Sequence, residues 1–401
     1  MMSKVSSISK AFLCPVCNST NFENFLELVQ TPVFCNVLWK TADEALHVPK
    51  GDIRLAFCRT CGHVFNTAFD PGLIEYSTEY ENSLHFSPRF QAYAASLAKQ
   101  LINAYDLHQK TIIEIGCGKG DFLRLLCESG NNCGIGFDRS YEPERNETPD
   151  RACITFVRDF YSKQYAHYKA DFICCRHVLE HIQEPRRFLD EIRQTLGDQS
   201  DAVLYFEVPN VMFTLKDLGI WDLIYEHCGY FSRSSLASLF SDCGFQTKHV
   251  QEAFADQFLG IEAAIASEEG SQIYRDLKDD VENMHAYVTK FGKNYRMKVT
   301  SWKHELAELS QAEKKVIVWG AGSKGVTFLN ALHVQEQIVY IVDINPHKHG
   351  KYVGGTGQKI VAPDFLREYR PDTILVMNAI YLQEIQAMMH TMNLHCEFML
   401  V

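Results

Sequence analysis

Short apolar runs alternate with amphipathic stretches through the middle of the chain, from about residue 110 to residue 267. A strand that is buried on both faces appears as a continuous apolar run, and parallel strands need a helix to connect them. The alternation therefore predicts a parallel sheet with crossover helices. The predicted strands are IIEI (112–115), CGIGF (133–137), ITFV (154–157), FICC (172–175) and VLYFEV (203–208). Two later runs, FQTKHV (245–250) and FLGIEAAIA (258–266), are close enough in sequence to form an antiparallel pair.

A helical segment and a second alternation follow this region. Between residues 268 and 311, apolar residues recur every three or four positions, close to the α-helical period of ~3.6 residues. The pattern predicts a helical connector that packs its apolar stripe on a neighbouring domain, and Gly292 could divide it into two helices. Four more predicted strands come after it: VIVW (316–319), IVYIV (338–342), TILVM (373–377) and CEFML (396–400). We therefore expect an α/β protein with two units of this kind.

Composition narrows the class of protein. The chain has 401 residues, a formal net charge of −11 and 46% hydrophobic residues. This balance is typical of a globular protein and disfavours general binding to nucleic acid or to an anionic membrane. The chain shows no apolar run long enough for a membrane span and no signal-peptide core, so a cytoplasmic location is expected. In a reducing compartment its 14 cysteines indicate metal ligands and buried thiols, not disulfides.

Two CxxC pairs near the N-terminus predict a zinc site. The pairs CPVC and CRTC supply four thiolates, the ligand set of a tetrahedral structural zinc site with no open position for catalysis. The alternative is four buried thiols without metal. Cys35 and His63 are reserve ligands. The four predicted ligands are Cys14, Cys17, Cys58 and Cys61.

The first glycine-rich loop, EIGCGKGDF, follows the strand IIEI and favours S-adenosylmethionine. A dinucleotide would place its pyrophosphate at the helix N-terminus, where a sixth-position glycine is usual. Asp121 stands there instead, and its carboxylate would repel a phosphate but not a sulfonium cation. Acidic residues after the next two strands could accept the ribose hydroxyls and the adenine amine. The cofactor candidates are Glu114, Gly116, Gly118, Gly120, Asp138 for the ribose, Asp159 for the adenine, and Phe160.

The segment HVLEH (177–181) matches the HxxEH pattern of a class of zinc peptidases. It directly follows the strand FICC, where a nucleotide-binding fold continues into a crossover helix, so we set the peptidase interpretation aside. His177 is then placed near the methionine end of the cofactor, and His181 is expected to be a packing residue.

An acid, an imidazole and a phenol are concentrated in Tyr225-Glu226-His227, beyond the fifth strand of the sheet. Ligands of open parallel sheets bind over the carboxyl ends of the strands. Histidine has a pKa near neutrality, so His227 is a candidate general base, and a satisfied structural histidine is the alternative. Asn210, at the end of the fifth strand, is a candidate substrate contact. Tyr80 adds a second phenol near the domain junction.

The second glycine-rich loop, GAGSKG (320–325), is a complete GxGxxG after the strand VIVW. Its first helical turn carries Lys324 and no acid, which favours a phosphate. Taken alone, the loop and the following Asp343 fit NAD, although a glycine-rich turn without a ligand has the same pattern. The candidate binding residues are Gly322, Ser323, Lys324 and Asp343.

Taken together, these motifs resemble the three-domain, zinc-containing C-methyltransferases of deoxysugar biosynthesis, which act on nucleotide-linked keto sugars. The resemblance covers the four-cysteine module, the loop EIGCGKGDF, the segment EHCGYFS (226–232) and the C-terminal WGAGSKGVTFLN and VDINPHKHGKYVGG. It implies a class I methyltransferase Rossmann-like core between a zinc-binding domain and a second Rossmann-like domain. The implied boundaries are 1–75 (zinc), 76–267 (S-adenosylmethionine), 268–311 (helical connector) and 312–401 (substrate nucleotide).

The resemblance also implies residue roles. His227 would remove a proton from the sugar carbon beside a ketone, with help from Glu226, and Tyr80 would line the sugar. The C-terminal loop would then bind the nucleotide diphosphate of a small-molecule substrate instead of NAD. One position departs from the family, whose Y-x-E-H segment places a tyrosine two residues before the glutamate. Here that position is Ile224, so either Tyr225 supplies the phenol or the contact is absent.

Three function classes remain open at this stage. The substrate could be another carbonyl compound, because Ile224 replaces the family tyrosine in the part of the site that would bind the sugar. An NAD-dependent oxidoreductase would use the C-terminal loop, and a non-catalytic protein would only bind S-adenosylmethionine.

Overall fold

The computed structural model describes residues 12–74, 80–143, 153–197, 201–266, 278–334 and 336–401. Three sheets organise these residues, one in each lobe, and a long helix runs between the second lobe and the third. The first residues of the predicted helical stripe, including Ile273 and Leu277, lie outside the described part. Among the described residues, no helix combines the length and the apolar character that crossing a membrane requires.

The N-terminal lobe begins with a long hairpin. Its elements are β1 (Phe22–Pro32), α1 (Ala42–Leu46), β2 (Lys50–Cys58) and β3 (Val64–Asn66).

The middle lobe alternates strands and helices as the apolar runs predict. Its elements are α2 (Pro88–Tyr105), β4 (Thr111–Ile115), α3 (Asp121–Gly130), β5 (Cys133–Phe137), β6 (Ile154–Val157), β7 (Phe172–Arg176), α4 (Pro185–Leu196), β8 (Val203–Pro209), α5 (Val211–Leu215), β9 (Gly229–Tyr230), α6 (Arg233–Asp242), β10 (Phe245–Ala253) and β11 (Phe258–Ile265).

The C-terminal lobe follows the long helix. These elements are α7 (Lys278–Gln311), β12 (Val316–Trp319), α8 (Ser323–Leu332), β13 (Tyr340–Val342), β14 (Lys359–Val361), α9 (Leu366–Tyr369), β15 (Thr373–Val376), α10 (Leu382–Thr391) and β16 (Glu397–Leu400).

The central sheet has the strand order β10-β11-β8-β7-β4-β5-β6. Five of its strands are parallel, and β11 runs antiparallel to both β8 and β10, which confirms the predicted pair. The order reverses direction at β4, and ligands of such sheets bind at this switch point, over the carboxyl ends of the strands. The first glycine-rich loop leaves β4 at this edge.

A two-residue strand joins the middle lobe to the N-terminal one. The N-terminal sheet has the order β1-β2-β3-β9, and β9 pairs Tyr230 with Val64 and Gly229 with Phe65. Asn66 extends the pairing by donating its backbone N–H to the carbonyl of Cys228 at 3.0 Å. The segment that follows His227 is therefore fixed to the N-terminal lobe by backbone hydrogen bonds.

The helix α7 is continuous, so Gly292 does not divide it as the sequence suggested. A Cβ at this position would lie 3.1 Å from the backbone oxygen of Phe25. The missing side chain therefore lets α7 approach β1 closely, and glycine at this site serves packing rather than a break in the helix. The ring of Phe291 lies against Phe25 at 6.0 Å between centroids.

The C-terminal sheet has the order β14-β13-β12-β15-β16 and is parallel throughout. One apolar core is shared by the N-terminal sheet, α7 and the C-terminal lobe. Phe328 of α8, for example, meets Trp221 and Trp302 edge-on, at 5.0 and 5.5 Å between ring centroids. The three lobes are thus packed around a common core, and a cleft lies between them.

Candidate active site

The cleft between the lobes brings together residues that are far apart in sequence. It is bordered by the ends of β7 and β8 in the middle lobe and by the glycine-rich loop after β12. Tyr80 and Asn36 border it from the N-terminal side. The sequence-predicted residues that line it are Tyr80, His177, Gly322, Ser323, Lys324, His227 and Asp343.

His227 meets the cleft in a neutral form. Burial, followed by the nearby charges of His181, His177 and Lys324, lowers its pKa well below the ordinary value. The imidazole is therefore neutral near neutral pH and has a lone pair for a proton, although burial and the nearby charges disfavour the charged form. Its ring lies edge-on to the ring of His181 at 4.8 Å between centroids.

Glu226 lies behind His227 and is fully buried. Its carboxylate accepts the backbone N–H of Cys35 at 2.9 Å, which ties the segment to the N-terminal lobe. Burial raises the pKa of Glu226 to about 7, against the opposing effects of the Cys35 N–H and the Tyr80 hydroxyl. Glu226 therefore contacts the Tyr80 hydroxyl and does not face the cleft directly.

The HVLEH segment contributes three side chains around His227. His181 Nδ1 donates to the backbone carbonyl of Glu226 at 3.0 Å, and Glu180 is buried beside it. His177 carries a positive φ of 56° at the end of β7. Burial alone would lower the pKa of His177, but the carboxylates of Glu180 and Glu207 offset this and raise it to about 9. His177 is therefore a cation in the cleft at neutral pH.

Tyr225 does not supply a phenol to the cleft, which corrects the sequence-based expectation. Its side chain is fully buried in the N-terminal lobe, where the ring packs on Phe69. The hydroxyl accepts the backbone N–H of Asp70 at 2.9 Å. Ile224, at the position of the family tyrosine, lines the cleft instead. Tyr80 also lines the cleft, and its hydroxyl accepts from Asn36 Nδ2 at 3.4 Å.

The first glycine-rich loop has the backbone that its glycines predict. Gly116, Gly118 and Gly120 all have positive φ, at 70°, 55° and 87°. A Cβ on Gly116 would overlap Val178, whereas Gly118 has open space on its Cβ side, where a ligand can approach the backbone. Glu114 lies under the loop, and burial raises its pKa to about 8 against the influence of Arg176.

The acidic residues after β5 and β6 lie at the same edge. Asp138 Oδ2 accepts the N–H of Gly118 at 2.8 Å, and Oδ1 accepts the backbone and hydroxyl of Ser140 at 2.7 Å. A carboxylate has about four acceptor positions and three of them are filled, so Oδ2 can still accept one ribose hydroxyl. The carboxylate of Asp159 accepts hydrogen bonds from the Tyr165 hydroxyl and from groups of its own loop. The side chain of the neighbouring Phe160 is exposed and lies under the guanidinium of Arg139.

The second glycine-rich loop opens onto the cleft at the N-terminus of α8. No side chain of the described residues caps this helix, and Gly322 has open space on its Cβ side. Lys324 forms an ion pair with Asp222 of the middle lobe. Asp343 accepts the N–H of Ala321 at 2.9 Å and pairs with the buried Lys348 at 3.6 Å.

Asn210 has a structural role rather than the substrate contact expected from sequence. Its side chain caps α5 by accepting the N–H of Met212 at 3.0 Å, and its Nδ2 donates to the carbonyl of Asp256 at 2.9 Å. Among the described residues, Asn210 is not one of those that line the cleft, whereas its neighbour Pro209 is.

The four N-terminal cysteines form one cluster. The Sγ atoms of Cys14 and Cys61 lie 3.7 Å apart, and those of Cys17 and Cys58 lie 3.5 Å apart. Zinc–sulfur bonds of ~2.3 Å in a tetrahedron require sulfur separations of about 3.8 Å, so the cluster fits a four-thiolate zinc ion. The reserve ligands Cys35 and His63 are not part of the cluster. Ser232 donates to the carbonyl of Gly62, which links the second cysteine pair to the segment after His227.

Comparison with known proteins identifies the class. A methyltransferase domain model matches residues 86–250, and a C-methyltransferase C-terminal domain model matches residues 258–400. C-methyltransferase NovU from Streptomyces niveus is 25% identical over 305 residues, which are 68% of this chain and 67% of NovU. These matches show that the chain is an S-adenosylmethionine-dependent C-methyltransferase. This confirms the class I methyltransferase Rossmann-like core and S-adenosylmethionine as the methyl donor.

Other similarities cover smaller shares of the chain. A ubiquinone biosynthesis O-methyltransferase from Actinobacillus pleuropneumoniae serotype 7 (strain AP76) is 30% identical over 118 residues, or 27% of this chain and 49% of that protein. A solved structure of magnesium protoporphyrin IX methyltransferase from Synechocystis PCC 6803, with bound SAH, covers 44% of this chain and 84% of its own. Its TM-score is 0.35 at 17% sequence identity.

Sequence reasoning missed two residues of this methyltransferase cleft. His181 faces His227, although its spacing suggested a packing residue. Lys348 is buried beneath the second glycine-rich loop and donates to the carbonyl of Ala321 at 3.0 Å. The signal for both was position in a motif: the final histidine of HxxEH and the lysine that follows Asp343 in DINPHK.

Proposed function

We propose that this C-methyltransferase transfers the methyl group to a carbon beside a ketone, most naturally on a nucleotide-diphosphate-linked keto-deoxysugar. One observation carries the proposal: a neutral imidazole, His227, shares a single cleft with an uncapped helix N-terminus that can bind phosphate. A base and a diphosphate site in one cleft suit a substrate whose reacting carbon and nucleotide are parts of one molecule.

His227 is the general base of the proposed reaction. It takes a proton from the carbon beside the ketone, and the C–H electron pair becomes an enolate. S-adenosylmethionine supplies an electrophilic methyl group on a sulfonium. The enolate carbon forms a bond to that methyl as the C–S bond breaks, and S-adenosylhomocysteine leaves. A positioned base contributes about 10²–10⁴-fold in rate.

Glu226 and Tyr80 assist the base. Glu226 is anchored on the Cys35 N–H and holds the segment that carries His227. Tyr80 lies in the cleft, and its hydroxyl, which bonds to Glu226 in this structure, would turn from Glu226 to donate to the enolate oxygen. Because Tyr225 is engaged with Asp70, Tyr80 takes the role of the oxyanion donor in this proposal.

The cofactor and nucleotide contacts follow the two glycine-rich loops. Around S-adenosylmethionine we place Asp138 on the ribose, Asp159 and Phe160 at the adenine, and Glu114 and His177 toward the methionine end. On the substrate, the N–H groups of Gly322 and Ser323 meet the diphosphate, with Lys324 and Lys348 supplying positive charge and Asp343 ordering the loop. Lys324 must then break its ion pair with Asp222 in order to bind the phosphate.

Zinc in the four-cysteine cluster is proposed to be structural. A closed set of four thiolates leaves no position for substrate. Zinc would affect catalysis only indirectly, because the N-terminal lobe that it stabilises holds the backbone on either side of His227. The domain boundaries given above and a cytoplasmic location remain part of the proposal.

One observation favours a second substrate class. Ile224 gives the cleft an apolar surface where the family has a phenol, so a carbonyl compound other than a sugar could occupy this position.

Methyl transfer from S-adenosyl-[methyl-¹³C]methionine tests the proposal. The donor is incubated with nucleotide-diphosphate keto-sugars and, separately, with ketones that lack a nucleotide, and products are examined by NMR. A labelled methyl on the carbon beside the sugar ketone supports the first substrate class, and label only on the free ketones supports the second. Label on oxygen or nitrogen, or cofactor binding without any transfer, would overturn the assignment. Stabilisation by NAD with none by S-adenosylmethionine would favour an oxidoreductase.

A further inference from the structure

A carboxylate and two imidazoles converge at the base of the cleft, where the HVLEH segment meets His227. Glu180, His181 and His227 each offer one ligand atom, and these atoms all lie within 4.8 Å of one another. Small side-chain rotations bring such atoms to the separation of about 3.3 Å that a tetrahedral metal with ligand bonds of ~2.0 Å requires. The cluster is separate from the four cysteines.

Glu180 is the group that the methyl-transfer mechanism leaves unexplained. Its side chain is 2% exposed, and Oε2 has no hydrogen-bond partner among the described residues. The other oxygen faces His177 Nδ1 at 3.8 Å. A buried carboxylate oxygen without a partner is costly unless something fills its acceptor positions.

One of the two imidazoles, His181, is held as metal-binding histidines usually are. His181 Nδ1 donates to the Glu226 carbonyl at 3.0 Å, so its Nε2 carries the lone pair. Histidines that bind metals typically hold their second nitrogen in this way, which fixes the ring and its tautomer. His227 Nδ1 is buried and makes no hydrogen bond to the described residues.

We propose that Glu180, His181 and His227 form a second metal site, which binds a divalent transition metal ion such as Zn²⁺ or Co²⁺ when the cleft holds no substrate. Two nitrogens and one carboxylate oxygen are a ligand set of zinc-type ions, and the fourth position faces the cleft. The HxxEH pattern thus contributes two ligands to a metal site, without the peptidase arrangement that its spacing suggests.

Metal at this site has a consequence for catalysis, which rests on the proposed role of His227 as base. A histidine nitrogen that binds a metal has no lone pair for a proton. Divalent transition metals should therefore inhibit methyl transfer reversibly, and a chelator too weak to extract the cysteine-bound zinc should restore it.

The test is a Co²⁺ titration of the 401-residue chain whose cysteine site already holds zinc. We expect one Co²⁺ per chain beyond the zinc. Its visible absorption should be that of nitrogen and oxygen ligation, without a thiolate-to-cobalt charge-transfer band. Glu180→Gln should weaken Co²⁺ binding by more than the roughly 10–100-fold typical of an outer-shell partner. The exposed His108 is the matched control, and His108→Asn should bind Co²⁺ as the unaltered protein does.

The metal proposal is overturned if the metal content stays at one zinc per chain. It is also overturned if the added Co²⁺ shows thiolate charge transfer, or if Glu180→Gln retains full affinity. A variant that fails to fold is recognised by its loss of SAH binding, and His181→Asn then replaces it. The metal count does not depend on turnover. Failure of His227 as the base would therefore leave a positive titration standing, and the reverse also holds.

Discussion

Tyr80 and Tyr225 are both close to Glu226, but their hydroxyl groups have different partners. The Tyr225 hydroxyl bonds to the backbone of Asp70 inside the N-terminal lobe, and Gly51 gives its ring room, because a Cβ there would lie 2.7 Å from the ring carbon Cζ. The Tyr80 hydroxyl lies at the cleft beside Asn36. Orientation, rather than position in the sequence, separates a structural tyrosine from a candidate catalytic one.

Replacing each tyrosine by phenylalanine should therefore give opposite results. Tyr80→Phe removes the proposed oxyanion donor, so kcat should fall by about 10²-fold or more while the affinity for S-adenosylmethionine is unchanged. Tyr225→Phe removes a buried hydrogen bond, so the free energy of unfolding should fall by about 1–3 kcal/mol with kcat retained. Steady-state kinetics and chemical denaturation measure the two effects. A larger loss of kcat in Tyr225→Phe than in Tyr80→Phe would reverse the assignment.

Glu114 makes stability depend on pH in a defined direction. Burial raises its pKa to about 8, from an ordinary value of 4.5. The folded state keeps this proton in a range where the unfolded state has lost it, so the contribution to stability is complete below about pH 4.5. It is lost as the pH rises toward 8, by at most about 1.4 kcal/mol per pH unit.

Glu114→Gln should remove this dependence. The melting temperature of the variant relative to the unaltered protein should rise steadily between about pH 5 and pH 8, as measured by thermal unfolding in matched buffers. A difference that is constant over this range would show that Glu114 is ionised in the folded state.

At the scale of elements, short connections position the site. The two-residue strand β9 attaches the segment after His227 to β3, and the tight packing of α8 sets the second glycine-rich loop. A Cβ on Gly325 would overlap the carbonyl oxygen of Gly320, so α8 can approach the loop only with glycine at this position.

Gly325→Ala should displace this loop without affecting the cofactor site. We expect weaker binding of nucleotide diphosphates by about tenfold or more, with unchanged affinity for S-adenosylmethionine, as measured by calorimetry. Gly322→Ala is the matched control for folding, because that position has an ordinary φ of −97° and open space around its Cβ. Equal thermal stability of the two variants would contradict this account of Gly325.

Sequence and structure agree best on the elements that are defined locally. Strands such as β7 and β12 match the predicted runs to within one residue, because a fully buried strand is continuously apolar. The pair β10–β11 follows from proximity in sequence. The strand β9 could not be predicted, since two residues carry no periodicity and their partners lie in another lobe. Orientation of Tyr225 and Asn210 likewise depends on contacts with distant residues, which a motif does not record.

At the scale of the whole molecule, the site exists only where the three lobes meet. The middle lobe provides the cofactor loop, the N-terminal lobe fixes the backbone around His227, and the C-terminal lobe contributes the second glycine-rich loop. The shared apolar core holds these surfaces together. The lobes therefore act as one unit in the proposed reaction, although each has its own sheet.

Proton exchange at the substrate carbon tests the central claim most directly. A nucleotide-diphosphate keto-sugar is incubated with the enzyme in D₂O, with S-adenosylhomocysteine in place of the methyl donor, and loss of the proton beside the ketone is followed by NMR. We predict exchange with the unaltered enzyme and at least about 10²-fold slower exchange with His227→Asn. Exchange by His227→Asn within about threefold of the unaltered rate, with S-adenosylhomocysteine still bound, would contradict the account.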